Sequence, residues 1–251
     1  NTFALSMTNK GLIHESFASN FNWPYDWREF VVLDDTNFQT AVNLWFDNQA
    51  DANATYGHIS DWNTSDVTNM TNAFRDRTTF NEYIGDWDTS NVTNMEGMFY
   101  NASSFNQPIG GWDVSSVASM MSMFKFARDF NQPIGDWNTS SVSSMARVFS
   151  LATNFNQPLG NWDTSNVTSM EFMFDMASNF NQNINTFNLS SITNMNYIFD
   201  GANSLSDTNK GLIHQSFSSN SNWPYDWSSF ENPSYTPLTD ANFQTAVNLW
   251  F

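Results

Sequence analysis

Apolar residues recur along this chain with a period of 25 residues. Trp62 has counterparts at each of the next four steps, and columns of Phe, Met and Ser keep the same step without an insertion. Such a period is the signature of a repeat protein, in which each unit buries its apolar face against its neighbours. The pattern predicts six stacked units with a core formed by Trp62, Trp87, Trp112, Trp137, Trp162, Phe74, Phe99, Phe124, Phe149, Phe174 and Phe199.

One unit shows which elements the pattern predicts. Val92, Met95 and Phe99 lie three and four residues apart, which is typical of one face of a helix. A serine precedes this run and offers a hydroxyl to the free amides of a first helical turn. Residues 105–109 are typical of a short extended segment, because Pro108 disfavours helical geometry before it. The sequence therefore predicts an α/β solenoid with one short parallel strand and one helix per turn, whose helix caps are Ser65, Ser90, Ser115, Ser140, Ser165 and Ser190.

The extended segments also carry a column of asparagines. In a parallel ladder each turn adds roughly 4.8 Å, so like side chains lie above like. Stacked amides satisfy one another and the backbone, and we favour this structural role over a ligand site. The predicted amide ladder is Asn81, Asn106, Asn131, Asn156 and Asn181.

A different segment flanks the array on both sides. Residues 5–30 recur almost unchanged at 205–230, so the offset is 200 residues. The segment contains a helical pattern with Leu12, Ile13 and Phe17 facing inward. A flank that lies on both sides of an array favours a role in joining one array to the next.

The flank has a second helical pattern, in which Phe38, Val42 and Trp45 face inward. Its sequence, FQTAVNLWF, recurs at the last nine residues, so the chain stops inside a predicted helix and starts without Met. We therefore expect a piece of a longer tandem-repeat polypeptide. The predicted organisation is a helical flanking module at 1–58, six repeats at 59–207, and the start of a second flanking module at 208–251.

Composition narrows the function classes. The chain has 25 acidic and 8 basic residues, a formal net charge of −17, and no cysteine. This charge disfavours nucleic acid and anionic lipid as partners, and disulfides and thiolate metal sites are excluded. No apolar run is long enough to span a membrane. We expect other proteins, or copies of the chain itself, as partners.

Catalytic signatures are absent from the sequence. No zinc-protease, Walker A or nucleophile-elbow motif occurs, and no carboxylate pair stands out for a glycan-cleaving enzyme. Acidic residues beside Trp87 and Trp137 leave calcium as an alternative, although their column is not maintained. We therefore expect no enzyme, no catalytic residue and no cofactor. If the chain is secreted by a eukaryote, glycans could be attached at Asn53, Asn63, Asn69, Asn91, Asn101, Asn138, Asn166 and Asn188.

Two motifs resemble a known family. The string FNQPLGNWDTSNVTSM at Phe155–Met170 and NVTNMEGMF at Asn91–Phe99 are similar to the BspA-like repeats of bacterial surface proteins. This resemblance covers about 60% of the chain and implies a leucine-rich-repeat-like right-handed coil, with a parallel sheet on one face and helices on the other. It also implies an extracellular or cell-surface location and a role in adhesion, and it transfers no catalytic residue.

Two functions follow from these observations. The first is a non-catalytic module for surface adhesion or protein–protein interaction, in which a varied surface column binds a partner. The alternative is a structural subunit of an extracellular filament or surface layer, which assembles end to end through its flanking modules.

Overall fold

In the part of the chain that the structure describes, α-helices occur only in the two flanks. The computed structural model describes residues 7–17, Asn20 and 31–231, so the predicted helix at the chain's last nine residues lies outside the described residues. Short 3-10 turns lie at Ile59–Asp61, where the repeat region begins, and at Ser228–Phe230 in the second flank. The α-helices among these residues are α1 (Met7–Phe17), α2 (Phe38–Asp47), α3 (Gln49–Tyr56) and α4 (Asp207–Phe217).

The repeats contain neither the predicted helix nor the predicted strand. Between residues 62 and 206 the described chain consists of turns and irregular segments, with one isolated parallel bridge between successive repeats. The prediction of an α/β solenoid with a strand and a helix per turn is therefore wrong, and so is its leucine-rich-repeat-like form with a parallel sheet. The six serines predicted as helix caps have no helix to cap.

A chain of successive turns replaces the helix. In repeat one, Ala73 N donates to Met70 O (3.2 Å) and Arg75 N donates to Asn72 O (3.0 Å), which closes local turns. The amides between them donate to the next repeat instead, for example Phe74 N to Met98 O (2.8 Å). We call residues 69–77 and their equivalents at each 25-residue step the turn ribbon. Its alternating bonds link every repeat to the next without a continuous strand.

Left-handed residues explain why the ribbon is not a helix. Asn72 and Asp76 have φ of 57° and 61°, and a residue at positive φ ends a right-handed helical turn. Because the turns return to the same face every three or four residues, they produce the burial spacing that is typical of a helix. The same two columns have positive φ in every repeat: Asn72, Asp76, Gly97, Asn101, Ser122, Phe126, Arg147, Leu151, Phe172, Met176, Tyr197 and Gly201.

Stacked rings fill the core. Phe74 lies 4.0 Å from Phe80 within its repeat and 5.5 Å from Phe99 in the next repeat, both with nearly parallel planes. Ring centroids along the Phe74 column are 5.5–5.8 Å apart. Centroid distances in this range are typical of offset-stacked rings.

The first flank packs on repeat one through α2 and α3. Trp45 of α2 lies edge-on to Trp62, with centroids 6.1 Å apart. The carboxylate of Asp35 accepts from the amides of Thr68 (2.8 Å) and Asn69 (3.0 Å). These bonds close the open edge of repeat one, as a terminal cap of stacked repeats must.

The predicted inward face of α1 is wrong in part. Leu12 is 58% exposed and Phe17 is 50% exposed. The helix contacts α3 through His14, whose Nε2 lies 3.0 Å from Ala54 O.

Candidate interaction surface

The tryptophan column serves the core and is not available for binding. Every tryptophan in it is at most 4% exposed. Each of their indole N–H groups donates to a backbone carbonyl oxygen. Trp112 Nε1, for example, donates to Ile84 O at 3.1 Å, in the preceding repeat. Phe187 takes the sixth place and cannot make this bond. The six phenylalanines of the Phe74 column are likewise buried.

The asparagine column is bonded from repeat to repeat. Asn131 N donates to Asn106 Oδ1 (2.9 Å), and Asn131 Oδ1 accepts from Asn156 N (2.9 Å) and from Gln157 Nε2 (3.0 Å). The same amide-to-side-chain bond recurs from Asn81 to Asn181, and Asn181 Oδ1 accepts from Ser206 N. The side-chain oxygens of this column accept hydrogen bonds from the next repeat, which indicates a structural role.

The serines lie in short turns, each closed by the side chain of the residue two positions earlier. Ser90 N donates to Asp88 Oδ1 (3.0 Å), so the residue two positions earlier accepts and the serine donates. An Asn or Asp stands at this earlier position in all six repeats. The side-chain and backbone bonds from Ser90 lower the pKa of Asp88. The same turn contains the other five serines, Ser65, Ser115, Ser140, Ser165 and Ser190.

Metal ligation has little support in the described part of the chain. No group of three or more His, Asp or Glu residues that could hold a metal is found among the described residues. Asp86 accepts from Tyr83 and Asp88 accepts from Ser90, so the carboxylates beside Trp87 already have protein partners.

The predicted glycosylation sites lie on the surface. Six of the eight are exposed, and Asn53 and Asn101 are half-buried. The amide nitrogens of Asn91 and Asn166 each donate to a carbonyl of the preceding repeat, at 2.8 and 2.7 Å. A sugar on either nitrogen replaces one of its two N–H groups.

The turn ribbon is the surface on which the repeats differ. One column has six different residue types in six repeats: Asn72, Gly97, Ser122, Arg147, Phe172 and Tyr197. A second has five types: Arg75, Tyr100, Lys125, Ser150, Asp175 and Asp200. A third has six types: Asp76, Asn101, Phe126, Leu151, Met176 and Gly201. We call these three columns the varied face.

Exposure alone does not cause this variation. The column that begins at Asn63 and Asp88 is exposed in all six repeats, yet it contains only Asn and Asp. The bonds that this column accepts from the serine two positions later restrict it to Asn and Asp. The varied face could have been predicted from the sequence by comparing residue types column by column. Catalytic motifs give no indication of it.

Cations and aromatic rings alternate on the varied face. The Arg75 guanidinium lies 4.1 Å from the centroid of the Tyr100 ring, and Lys125 Nζ lies 5.6 Å from it. Arg147 lies 4.8 Å from the Phe172 ring and also pairs with Glu171 at 3.0 Å. Such cation–ring contacts hold long side chains in place at the surface.

The electrostatic environment of the varied face favours an anion beside Lys125. Partial burial lowers the pKa of Lys125, and the positive charges of Arg147 and Arg75 lower it further, while Asp175 opposes them. Burial also raises the pKa of Asp175, which accepts from Ser150 Oγ at 3.0 Å. Added negative charge beside Lys125 would stabilise its protonated form.

A groove of about 580 Å³ lies between repeat six and the loop after α4. Its lining is hydroxyl, amide and apolar, without a titratable side chain. Acid–base chemistry has no group to use there. The lining residues are Phe187, Asn188, Leu189, Ser190, Ile192, Ser216, Ser219, Asn220, Ser221 and Asn222.

Comparison with known proteins gives one family. No curated protein and no solved structure matches this chain. Among the residues that the structure describes, no helix is both long and apolar enough to cross a membrane. The resemblance to the BspA-like repeats stays a prediction. Three overlapping matches, at residues 40–149, 108–212 and 130–235, cover most of the chain, which therefore belongs to the family described as "Mycoplasma protein of unknown function, DUF285".

Proposed function

We propose that this chain is a non-catalytic interaction module of an extracellular surface protein, and that its varied face binds a partner protein. The observation that carries the proposal is the kind of residue placed at strained positions. Phe126, Leu151 and Phe172 have φ of 55–62°, although bulky side chains disfavour this region by roughly 1–2 kcal/mol each. Strained residues of this kind cluster where a protein makes functional contacts.

The charges indicate which partner fits. Five of the chain's eight basic residues lie in the repeats, and Arg75, Lys125 and Arg147 stand on the varied face itself. The varied face also carries Asp76, Asp175 and Asp200, so its charges balance overall. Within repeats two to four, however, it carries Lys125 and Arg147 and no acidic residue, and this central part favours a local contact with carboxylates of a partner. Exposed Tyr197 (56%) and Met176 (48%) lie further along the same face and add apolar contact area.

A defined acidic probe tests this proposal. Fluorescent poly-L-glutamate is titrated with the full chain at about 0.1 M salt, where contacts beyond roughly 10 Å are screened. We expect binding by the unmodified chain and a loss of roughly tenfold or more for Lys125→Glu with Arg147→Glu, because two attractions become repulsions.

The matched control carries the same change of charge away from the varied face. Lys10→Glu with Lys210→Glu should bind like the unmodified chain. Equal losses in both double variants would show a net-charge effect, and absence of binding by the unmodified chain would exclude an acidic partner.

A further inference from the structure

The charges of the varied face are divided along the array. Repeats three and four carry Lys125 and Arg147, whereas repeats five and six carry Asp175 and Asp200. Lys125 and Asp200 stand in the same column, three repeats apart. A surface with positive charges in one half and negative charges in the other is complementary to a copy of itself that runs in the opposite direction.

Lys125 and Asp200 are also the two charges of this segment that are left for an outside partner. Arg147 pairs with Glu171 at 3.0 Å. Among the residues that the structure describes, neither Lys125 nor Asp200 forms an ion pair, and Asp175 acts on Lys125 only at longer range. The Nζ of Lys125 lies 5.6 and 5.3 Å from the centroids of two aromatic rings, which hold it at the surface, and Asp200 is exposed.

The apolar side chains of the varied face lie in the same four repeats. Phe126, Leu151 and Met176 follow one another in one column, and Phe172 and Tyr197 stack in a second column with centroids 4.8 Å apart. Met176 and Tyr197 are exposed, although side chains of this size gain free energy when they leave water. Repeats one and two contribute no aliphatic side chain and no phenylalanine to this face. Repeats three to six therefore combine the charges and the apolar area of a protein interface.

We propose that repeats three to six of the varied face bind a second copy of the chain, as an antiparallel pair with a two-fold axis between repeats four and five. The inference rests on the proposed function of the varied face and names its partner. The axis lies in the interface and across the array, so each column faces itself in reversed order. Repeat three then faces repeat six of the other copy, and repeat four faces repeat five.

This register brings opposite charges together. Lys125 faces Asp200 of the other copy, and by symmetry this pair occurs twice, while Leu151 faces Met176 of the other copy. A parallel pair would instead place Lys125 beside Lys125, and an axis at the middle of the array would bring the basic repeats three and four of both copies together. Like charges in contact disfavour both arrangements. At physiological salt, charges more than about 8 Å apart are screened, so the net charge of −17 opposes the pairing only weakly.

Sedimentation equilibrium of the full chain at about 1–200 µM in about 0.15 M salt measures the pairing. We expect the mass to rise from 28.7 kDa towards twice that value, with a Kd of about 10–100 µM, which is typical of a small interface. Lys125→Asp and Asp200→Lys each turn both attractions into repulsions, so each should weaken the dimer roughly tenfold or more. An equimolar mixture of these two variants should dimerise like the unmodified chain, because every facing pair in the mixed dimer again has opposite charges.

The matched control is Arg75→Asp. It makes the same change of charge on the same face, but in repeat one, outside the overlap, so the Kd should stay unchanged. The proposal is overturned if the unmodified chain stays monomeric at about 200 µM, a concentration above the expected Kd. It is also overturned if Arg75→Asp weakens the dimer as much as Lys125→Asp does, or if the mixture of the two folded variants stays monomeric.

Two further measurements keep the test decisive. Circular dichroism shows whether each variant is folded. If Lys125→Asp unfolds, Lys125→Gln replaces it, and its mixture with Asp200→Lys must dimerise more tightly than Asp200→Lys alone. The titration with poly-L-glutamate separates this inference from the proposed function. A chain that binds poly-L-glutamate but stays monomeric overturns only the dimer, and a chain that does neither overturns both.

Discussion

The indole column offers a two-way test of what holds the repeats together. Trp112 is 4% exposed, and its Nε1 donates to Ile84 O at 3.1 Å. Trp112→Phe removes that bond, which contributes about 1 kcal/mol. It also removes about three buried heavy atoms, worth roughly 2 kcal/mol at about 0.8 kcal/mol per methylene. The expected loss is about 3 kcal/mol.

The opposite change uses the repeat that lacks the indole. Leu159 O accepts from Trp162 N (3.0 Å), and the next repeat supplies only the ring of Phe187. Phe187 also lines the groove of about 580 Å³ beside α4, which has room for a larger ring. Phe187→Trp should therefore add a hydrogen bond to Leu159 O and stabilise the fold by about 1 kcal/mol.

Differential scanning calorimetry on the full chain measures both effects. For a folded unit of this size, 1 kcal/mol shifts the Tm by about 2–4 °C. Trp112→Phe should therefore lower the Tm by roughly 6–12 °C and Phe187→Trp should raise it by roughly 2–4 °C. The reasoning is refuted if Trp112→Phe leaves the Tm unchanged, or if Phe187→Trp lowers it as much as Trp112→Phe does.

Substitutions at Asp88, Asn131 and Gly97 test the turns and the amide ladder. Asp88→Ala should lower stability by about 0.5–1.5 kcal/mol in urea unfolding at pH 7, while Asp88→Asn, the residue that three repeats already use, should be nearly neutral. Because the pKa of Asp88 is lowered on folding, its ionised form stabilises the fold above the unfolded value near 3.8. That contribution is lost as pH falls through the folded pKa, so Asp88→Asn should flatten this part of the pH profile. Asn131→Ala should cost about 2–3 kcal/mol by leaving two donors of the next repeat without an acceptor, and Asn131→Asp, which keeps both acceptor bonds, should cost less than half as much. Gly97→Ala should cost about 1–2 kcal/mol, because φ there is 59° and the new methyl group meets the side chain of Asn72; Asn72→Ala in the same chain should recover part of that loss.

The sequence predicts the register of the repeats far better than their local structure. Identical residues 25 positions apart must occupy equivalent places, and the Trp62 and Phe74 columns do stack in the core. A spacing of three and four residues between buried side chains can arise in two ways, however. A helix produces it, and so does a chain of turns with a left-handed residue at every fourth position. Asn, Asp and Gly in the two columns with positive φ are the signs in the sequence that no helix forms there. Phe126 and Leu151 stand in the same columns and are not typical of positive φ, so the sign is easily missed.

The predicted strand failed for a different reason. A parallel ladder needs backbone amides that donate to backbone carbonyls of a neighbouring strand. In the predicted segment, Phe105 N donates to Ala102 O within its own repeat (3.0 Å), and Asn106 N donates to the side chain of Asn81 (2.9 Å). The asparagine column could be predicted because its bonds run from side chain to backbone and do not require a strand. The different burial of α1 and α4 could not be predicted. Their sequences are nearly identical, so the difference comes from the residues that surround each helix.

The two ends of the array are closed by different elements. The stability of stacked repeats is approximately a sum of unit terms and nearest-neighbour interfaces, so an open end lacks one interface. Repeat six obtains its last interface from α4, Asn220 and Tyr225. Repeat one obtains its interface from α2, α3 and Asp35. Inside the array, the amides equivalent to those of Thr68 and Phe199 donate to backbone carbonyls of a neighbouring repeat. At the two ends, the Asp35 carboxylate and the Tyr225 hydroxyl accept these bonds instead. The caps therefore supply side-chain oxygens where a further repeat would supply backbone oxygens, and no repetition of the 25-residue period is needed to end the array.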